Sequence, residues 1–395
     1  MRTTSILVML GGILGVVATQ ASCYSTTCER TETCPSPFSD QGPVDESDAD
    51  VAGEDASDAD VAKVYMVSTL AGTGAADGPA SEATFNFPSG IAIGSDGSLY
   101  VADRNNNKIR KVTVNGSVST YAGTGTSGPD NGSCTAATFR WPHGVAMDAA
   151  NNVVYVADFL GDVIRKITST PCQVSTLAGD GHFGASDGMG TLARFDSPAG
   201  LTMDASGNIY IADSENHKIR KVTPDGNVIT IAGTGAVGKN NGQVMDATFN
   251  WPSGIAVDAE GTLYVTEIEN NDIRKITFDV MGNPLTVSTL AGSGAAMLTD
   301  GVGLDAAFNS PTGLAIDASG NLLVADTINN VVRQVTPDGV VTTIAGQGGV
   351  AGAHDGPADM ATFNHPYGVA VDSNGVIYVA DTGNNKIRKL TPVPQ

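Results

Sequence analysis

This sequence is poor in the residues that carry most enzyme chemistry. Its 395 residues include five His, five Cys and two Trp, and only 16% are charged. It contains no nucleophile-elbow G-x-S-x-G, no P-loop and no H-E-x-x-H pattern, so three common routes to hydrolysis and phosphoryl transfer are missing. Basic residues are half as common as acidic ones, 21 against 42, for a formal net charge of −21. Residues 1–62 hold 2 basic and 11 acidic side chains, and residues 63–395 hold 19 and 31. Both parts are therefore acidic. Phosphate binding needs a basic face, so neither nucleic acid nor an anionic membrane surface is an expected partner. Beyond the first twenty-odd residues no apolar run is long enough to span a bilayer as a helix.

What is abundant is glycine, with 48 residues, and a hydrophobic share of 41%. The hydrophobic share supports a packed core. The Gly, Asn and Asp that interrupt short apolar runs point to tight turns and an all-β chain.

The N-terminus has a different character. Met1-Arg2-Thr3-Thr4 precedes an apolar run, Ser5 to Ala18, of signal-sequence length, and residues 1–23 are expected to be a secretory signal. Ala21 and Ser22 before Cys23 resemble a bacterial lipoprotein cleavage box, which makes Cys23 the candidate lipid-bearing residue; Gln20 departs from that box. Ordinary signal cleavage nearby is the alternative. Residues 24–62 then form an acidic segment in which SDADVA occurs at 47–52 and again at 57–62. Self-repulsion and low apolar content predict a disordered tether. A calcium-binding run is the sharper alternative, but the spacing lacks the Gly and Glu of an EF-hand loop. Cys28 and Cys34 are near enough to pair in an oxidising compartment.

From residue 63 the chain repeats. A Pro-x-Gly step recurs at Pro88, Pro142, Pro198, Pro252, Pro311 and Pro366. Each is followed by an apolar run of the LYVAD type (99–103), a run of the KIRKV type (108–112) and one of the VSTYAG type (118–123). Four short strands at a period near 55 residues predict a β-propeller. The sixth repeat stops after its third strand, and the missing fourth occurs at the front as VSTLAG (67–72). The expectation is six four-stranded blades over 63–395, with the N-terminal strand closing the last blade and removing an open edge.

The pattern P-x-G-[IV]-A-x-D-x-x-G-x-[LI]-Y-V-A-D-x-x-N-[NH]-x-I-R-K closely resembles the NHL repeat family, across all six repeats. The second repeat departs most, with Gly161 and Asp162 in place of the Asn pair, and the fourth has Thr266-Glu267 for Ala-Asp. The resemblance implies a six-bladed propeller. It does not fix an activity, since the family includes interaction modules, RNA-binding modules and relatives with lyase or lactonase chemistry.

Residues repeated six times are expected to be structural. The Phe before each Pro is assigned to packing between blades. The Asp ending each second strand is read as capping its own turn. The Arg of each third strand is read as a donor to carbonyls or carboxylates. Function is expected where the copies disagree, at the top mouth of the channel. The slot before the Pro holds Phe87, Trp141, Ser197, Trp251, Ser310 and His365; the slot after it holds Ser89, His143, Ala199, Ser253, Thr312 and Tyr367. The candidate ligand-binding residues are Trp141, His143, Trp251, His365 and Tyr367, with Glu267, which replaces the usual Asp. The alternative is that both Trp merely cap the blade tops. No catalytic set, metal-ligand set or cofactor is implied by these positions.

The functional expectation is an extracytoplasmic binding or scaffold module, secreted or lipid-anchored at a bacterial cell envelope. It would be monomeric and would hold a protein, peptide or glycan on its top face. The alternative is a metal-dependent lyase or lactone hydrolase at the channel top. Cys134 falls in an interblade loop assigned to the top face and Cys172 in a turn on the bottom face, so these two are expected not to be bridged.

Overall fold

The computed structural model describes residues 64–72, 77–80 and 82–394. The expected signal with Cys23, the Cys28–Cys34 pair and the acidic segment lie outside the described residues. Among the described residues no helix is long and apolar enough to cross a membrane.

Six antiparallel sheets form the blades of a propeller. Blade 1 runs Pro88–Ile93, Leu99–Asp103, Lys108–Val112 and Val118–Ala122 from the channel outward. Blades 2 to 5 repeat this order and start at Pro142, Pro198, Pro252 and Pro311. Blade 6 takes its inner three strands from Pro366–Val371, Ile377–Asp381 and Lys386–Pro392. Its fourth is Tyr65–Ala71, in register from Tyr65 opposite Pro392 to Ala71 opposite Ile387. The ring is thus closed by the N-terminal strand.

The blades are not uniformly four-stranded. In blades 2 to 6 a two-residue segment of the incoming loop adds a fifth strand outside the fourth, such as Gly132–Ser133 beside Gln173–Val174. The interblade loop therefore leaves the top of one blade and descends the outer edge of the next before climbing back to the rim. This path corrects the assignment of Cys134 and Cys172 to opposite faces. The loop carries Cys134 down to the bottom turn, where it forms a disulfide with Cys172 across a Cα separation of 5.5 Å. The bridge closes a 38-residue span, so replacing both cysteines with Ser is expected to lower stability by about 2–4 kcal/mol, read from urea midpoints with and without reductant.

No blade has a private core. Ala92, Tyr100 and Ile109 of blade 1 pack with Val145, Val154 and Ile167 of blade 2, and the same pairing continues round the ring. The Pro-x-Gly step marks where blades come closest. A Cβ on Gly368 would stand 2.0 Å from the Ser89 carbonyl oxygen of blade 1, and one on Gly254 would stand 2.1 Å from that of Thr312. A side chain at either position would force the innermost strands apart.

The sixfold Arg and Asp form a buried wheel between the blades. Arg333 donates to Asp326 (2.6 Å), the Ala307 carbonyl (3.0 Å), the Thr299 carbonyl (2.9 Å) and Asp300 (2.7 Å), and its guanidinium lies 5.0 Å over the Phe308 ring. The recurrent Phe is therefore both packing and a cation–π partner. The Asp does hold its own turn, but through the Asn side chain three residues on, as Asp326 accepts from Asn329 (2.8 Å), and not through the turn's backbone as a cap would. Its first oxygen accepts from the backbone two residues ahead of the Pro, as Asp326 does from Asn309 (2.8 Å), and its second accepts from the Arg. It ties the incoming loop to the blade.

Candidate functional site

The rim of the top face is built from the slot before each Pro. All six residues there adopt left-handed backbone: Phe87, Trp141, Ser197, Trp251, Ser310 and His365 have φ between 49° and 58°. For large side chains that conformation is unfavourable and needs outside support. The support comes from the preceding blade. The Trp141 N–H donates to the Asn107 side chain (3.1 Å), Phe87 to Asn385 (2.8 Å) and His365 to Asn330 (2.8 Å). In blade 3 His217 stands in for the Asn, and its Nδ1 accepts from the Trp251 N–H (3.3 Å). Phe87, Trp141, Trp251 and His365 remain partly exposed. Burial lowers the pKa of His365, and Asp381 works against that shift.

One layer below, the slot after the Pro crosses the channel. Tyr367 reaches from blade 6 to Ser253 of blade 4, with the two hydroxyl oxygens 3.2 Å apart. Its ring meets that of His143 edge-on, with centroids 4.9 Å apart, and His143 also lies 5.2 Å from Phe159. Burial raises the Tyr367 pKa. His143 is buried, and desolvation followed by the nearby Arg104 charge pushes its pKa down to about 3, against a hydrogen bond with the Ala199 backbone. Its imidazole is thus neutral. A neutral buried His contributes stability that is complete above the unfolded-state pKa near 6.5 and is lost as pH falls towards 3. His143→Gln is expected to remove roughly 2 kcal/mol of the stability decline between pH 7.5 and pH 5, measured by urea unfolding at each pH.

Under this layer is a cavity of about 70 Å³ ringed by the Pro-x-Gly glycines. Below it the channel opens into a funnel of about 300 Å³ bordered by the innermost strands, among them residues Ile91, Val145 and Leu314.

The structure brings His143 and Tyr367 together and sets Trp141, Trp251 and His365 on the rim above them. Glu267 is elsewhere. It is fully buried in blade 4, where it accepts from Arg274 (2.5 Å), the Asn250 backbone (2.5 Å) and Asn270 (3.0 Å). It fills the Asp position of the wheel. Asp272 beside it has its carboxyl pushed well up by burial and by the Glu267 charge. Among the described residues no group of three or more His, Cys, Asp or Glu is placed to hold a metal ion.

Sequence reasoning missed Arg104. It follows Asp103 in the top turn of blade 1, and its counterparts are Phe159, Ser214, Ile268, Thr327 and Thr382. In three blades this position donates a hydroxyl to the next blade's Pro carbonyl: Ser214 to Pro252 (2.5 Å), Thr327 to Pro366 (2.8 Å) and Thr382 to Pro88 (2.6 Å). Arg104 instead lies under the rim, 5.1 Å from the Trp141 ring and 5.5 Å from the Phe87 ring. The signal was available in the sequence, as a third slot where the six copies disagree.

The model for the Teneurin NHL domain matches residues 68–277, and that for the NHL repeat matches residues 363–390. The chain belongs to the NHL repeat family. Among NHL relatives, NHL repeat-containing protein 2 from Bos taurus is 30% identical over 340 residues, covering 77% of this chain and 46% of that protein. The chain therefore spans less than half of that relative's length. Two solved propellers share the fold. One is an auxiliary nutrient binding protein from Bacteroides thetaiotaomicron, with a TM-score of 0.64, 19% identity, and 83% and 76% of the two chains covered. The other is a gluconolactonase from Xanthomonas campestris, with a TM-score of 0.56, 16% identity, and 84% and 92% covered.

Proposed function

We propose that this NHL propeller is an extracytoplasmic binding module that holds a peptide, protein or glycan ligand on its top face. The observation that carries this reading is the rim. Phe87, Trp141 and Trp251 are partly exposed rings on backbone pinned by the neighbouring blade, so little conformational freedom is lost when a ligand stacks on them. The Cys134–Cys172 disulfide supports an oxidising compartment. The nutrient-binding propeller from Bacteroides thetaiotaomicron is consistent with a module of this kind. Attachment through a lipid on Cys23, with residues 24–62 as the tether, and a monomeric state complete the proposal.

The test is a peptide and glycan array probed with the wild-type protein, Trp141→Ala and Trp251→Ala. Each substitution is expected to weaken the selected ligand by about 30-fold, the effect of losing an aromatic hot spot. Unchanged binding in both variants would overturn the top-face reading. Stoichiometric zinc or calcium in the purified protein would favour a metal-dependent lyase or lactone hydrolase instead.

A further inference from the structure

Seven arginines are buried among the described residues. Six are the wheel arginines, and each is paired with a carboxylate. The seventh, Arg104, is 6% exposed, and no carboxylate or hydrogen-bond acceptor among the described residues pairs with its guanidinium. A buried cation without a counter-charge is unfavourable, and the Phe87 and Trp141 rings offset only part of that penalty. The arrangement is notable in a domain with 31 acidic residues against 19 basic. Carboxylates are plentiful, yet none closes on this position. Its surroundings are the mouth itself: two rim rings, the His143 imidazole and the Tyr367 phenol, both of which feel its charge.

We propose that Arg104 anchors a carboxylate of the bound ligand. This rests on the top-face binding reading and adds the chemical class of the ligand. The planar guanidinium fork matches a carboxylate with two parallel hydrogen bonds, strengthened by the low dielectric between the rings. The domain's net negative charge opposes polyanions, so a single carboxylate is favoured over a phosphate chain. The rings leave flat apolar surface for the body of the ligand. Two sources fit: a sugar acid, or the C-terminal carboxylate of a peptide.

The experiment is calorimetric titration of the full protein with galacturonate and with N-acetylglycine, each beside its neutral counterpart, galactose or N-acetylglycinamide. At least one acid is expected to bind about 10-fold or more tightly than its neutral counterpart, and which acid does so identifies the source. Arg104→Met should reduce that acid to the level of the neutral compound. It should also melt no lower than wild type, because it removes an unpaired buried charge. Arg104→Lys keeps the charge without the fork and should fall between the two, which covers the case in which the Met variant does not fold. The anchor is overturned if neither acid is preferred by wild type, or if both variants bind the acid as wild type does. Neutral ligands bound equally well, with sensitivity to Trp141→Ala, would leave the top-face reading standing and remove the anchor alone.

Discussion

A chain beginning after Gly72 is expected to lose its cooperative unfolding transition. The strand removed, Tyr65–Ala71, buries Tyr65 and Val67 to 3% and 1% exposure and supplies the ladder opposite residues 387–392. At about 1.5–3 kcal/mol per buried apolar side chain and about 1 kcal/mol net per ladder hydrogen bond, roughly 5–10 kcal/mol is at stake. That equals the whole stability of an ordinary domain. The loss would also expose Lys386–Pro392 as an open edge, so the shortened chain should associate through it. A synthetic peptide of residues 64–72 added in trans is expected to restore the transition by strand addition. Differential scanning calorimetry with and without peptide decides it. A shortened chain that melts within a few degrees of the full one would show that the ring does not depend on this closure.

Arg333→Met is expected to destabilise the protein by about 3–5 kcal/mol, measured as a shift in urea midpoint. The substitution keeps the length of the side chain over Phe308. It removes four hydrogen bonds and leaves Asp326 fully buried with only its neutral donors, Asn309 and Asn329. Most of the effect is the uncompensated carboxylate, since a buried pair is worth less than the penalty of breaking it. Adding Asp326→Asn to Arg333→Met should therefore recover part of the loss, a coupling that a simple cavity would not show. A loss below 1 kcal/mol in the single variant would mean that water reaches Asp326.

The propeller was legible because six copies of one unit were aligned against each other in one chain. Blade number, closure and the packing role of the recurrent Phe followed from period and apolar pattern alone. Two of the differences share a cause, which is the path of the interblade loop. Treating that loop as a top-face feature separated Cys134 from Cys172, although it runs down the outside of the blade and pairs there as a fifth strand. The same loop explains the Asp, which accepts from the backbone of the returning chain as well as from the Asn of its own turn. Glu267 stands out in the sequence as an exception, yet its partner Arg274, seven residues on across the hairpin, makes it a member of the wheel. Arg104 was hidden for the opposite reason. It sits among three asparagines in a turn, where a charged residue reads as solvent-facing, and only the packing of Phe87 and Trp141 over it shows that it is buried.

The left-handed rim has an evolutionary consequence. Each rim residue is held through its backbone N–H by a side chain from the blade before, so the clamp is indifferent to what the rim side chain is. Phenylalanine, tryptophan, serine and histidine already occupy equivalent positions with φ values within 9° of one another. If the rim binds ligand as proposed, its chemistry can be rewritten one letter at a time while the folding instructions stay in the wheel beneath. A library varied at these six positions alone should therefore yield folded proteins, and selection on it would read out whether the rim binds ligand.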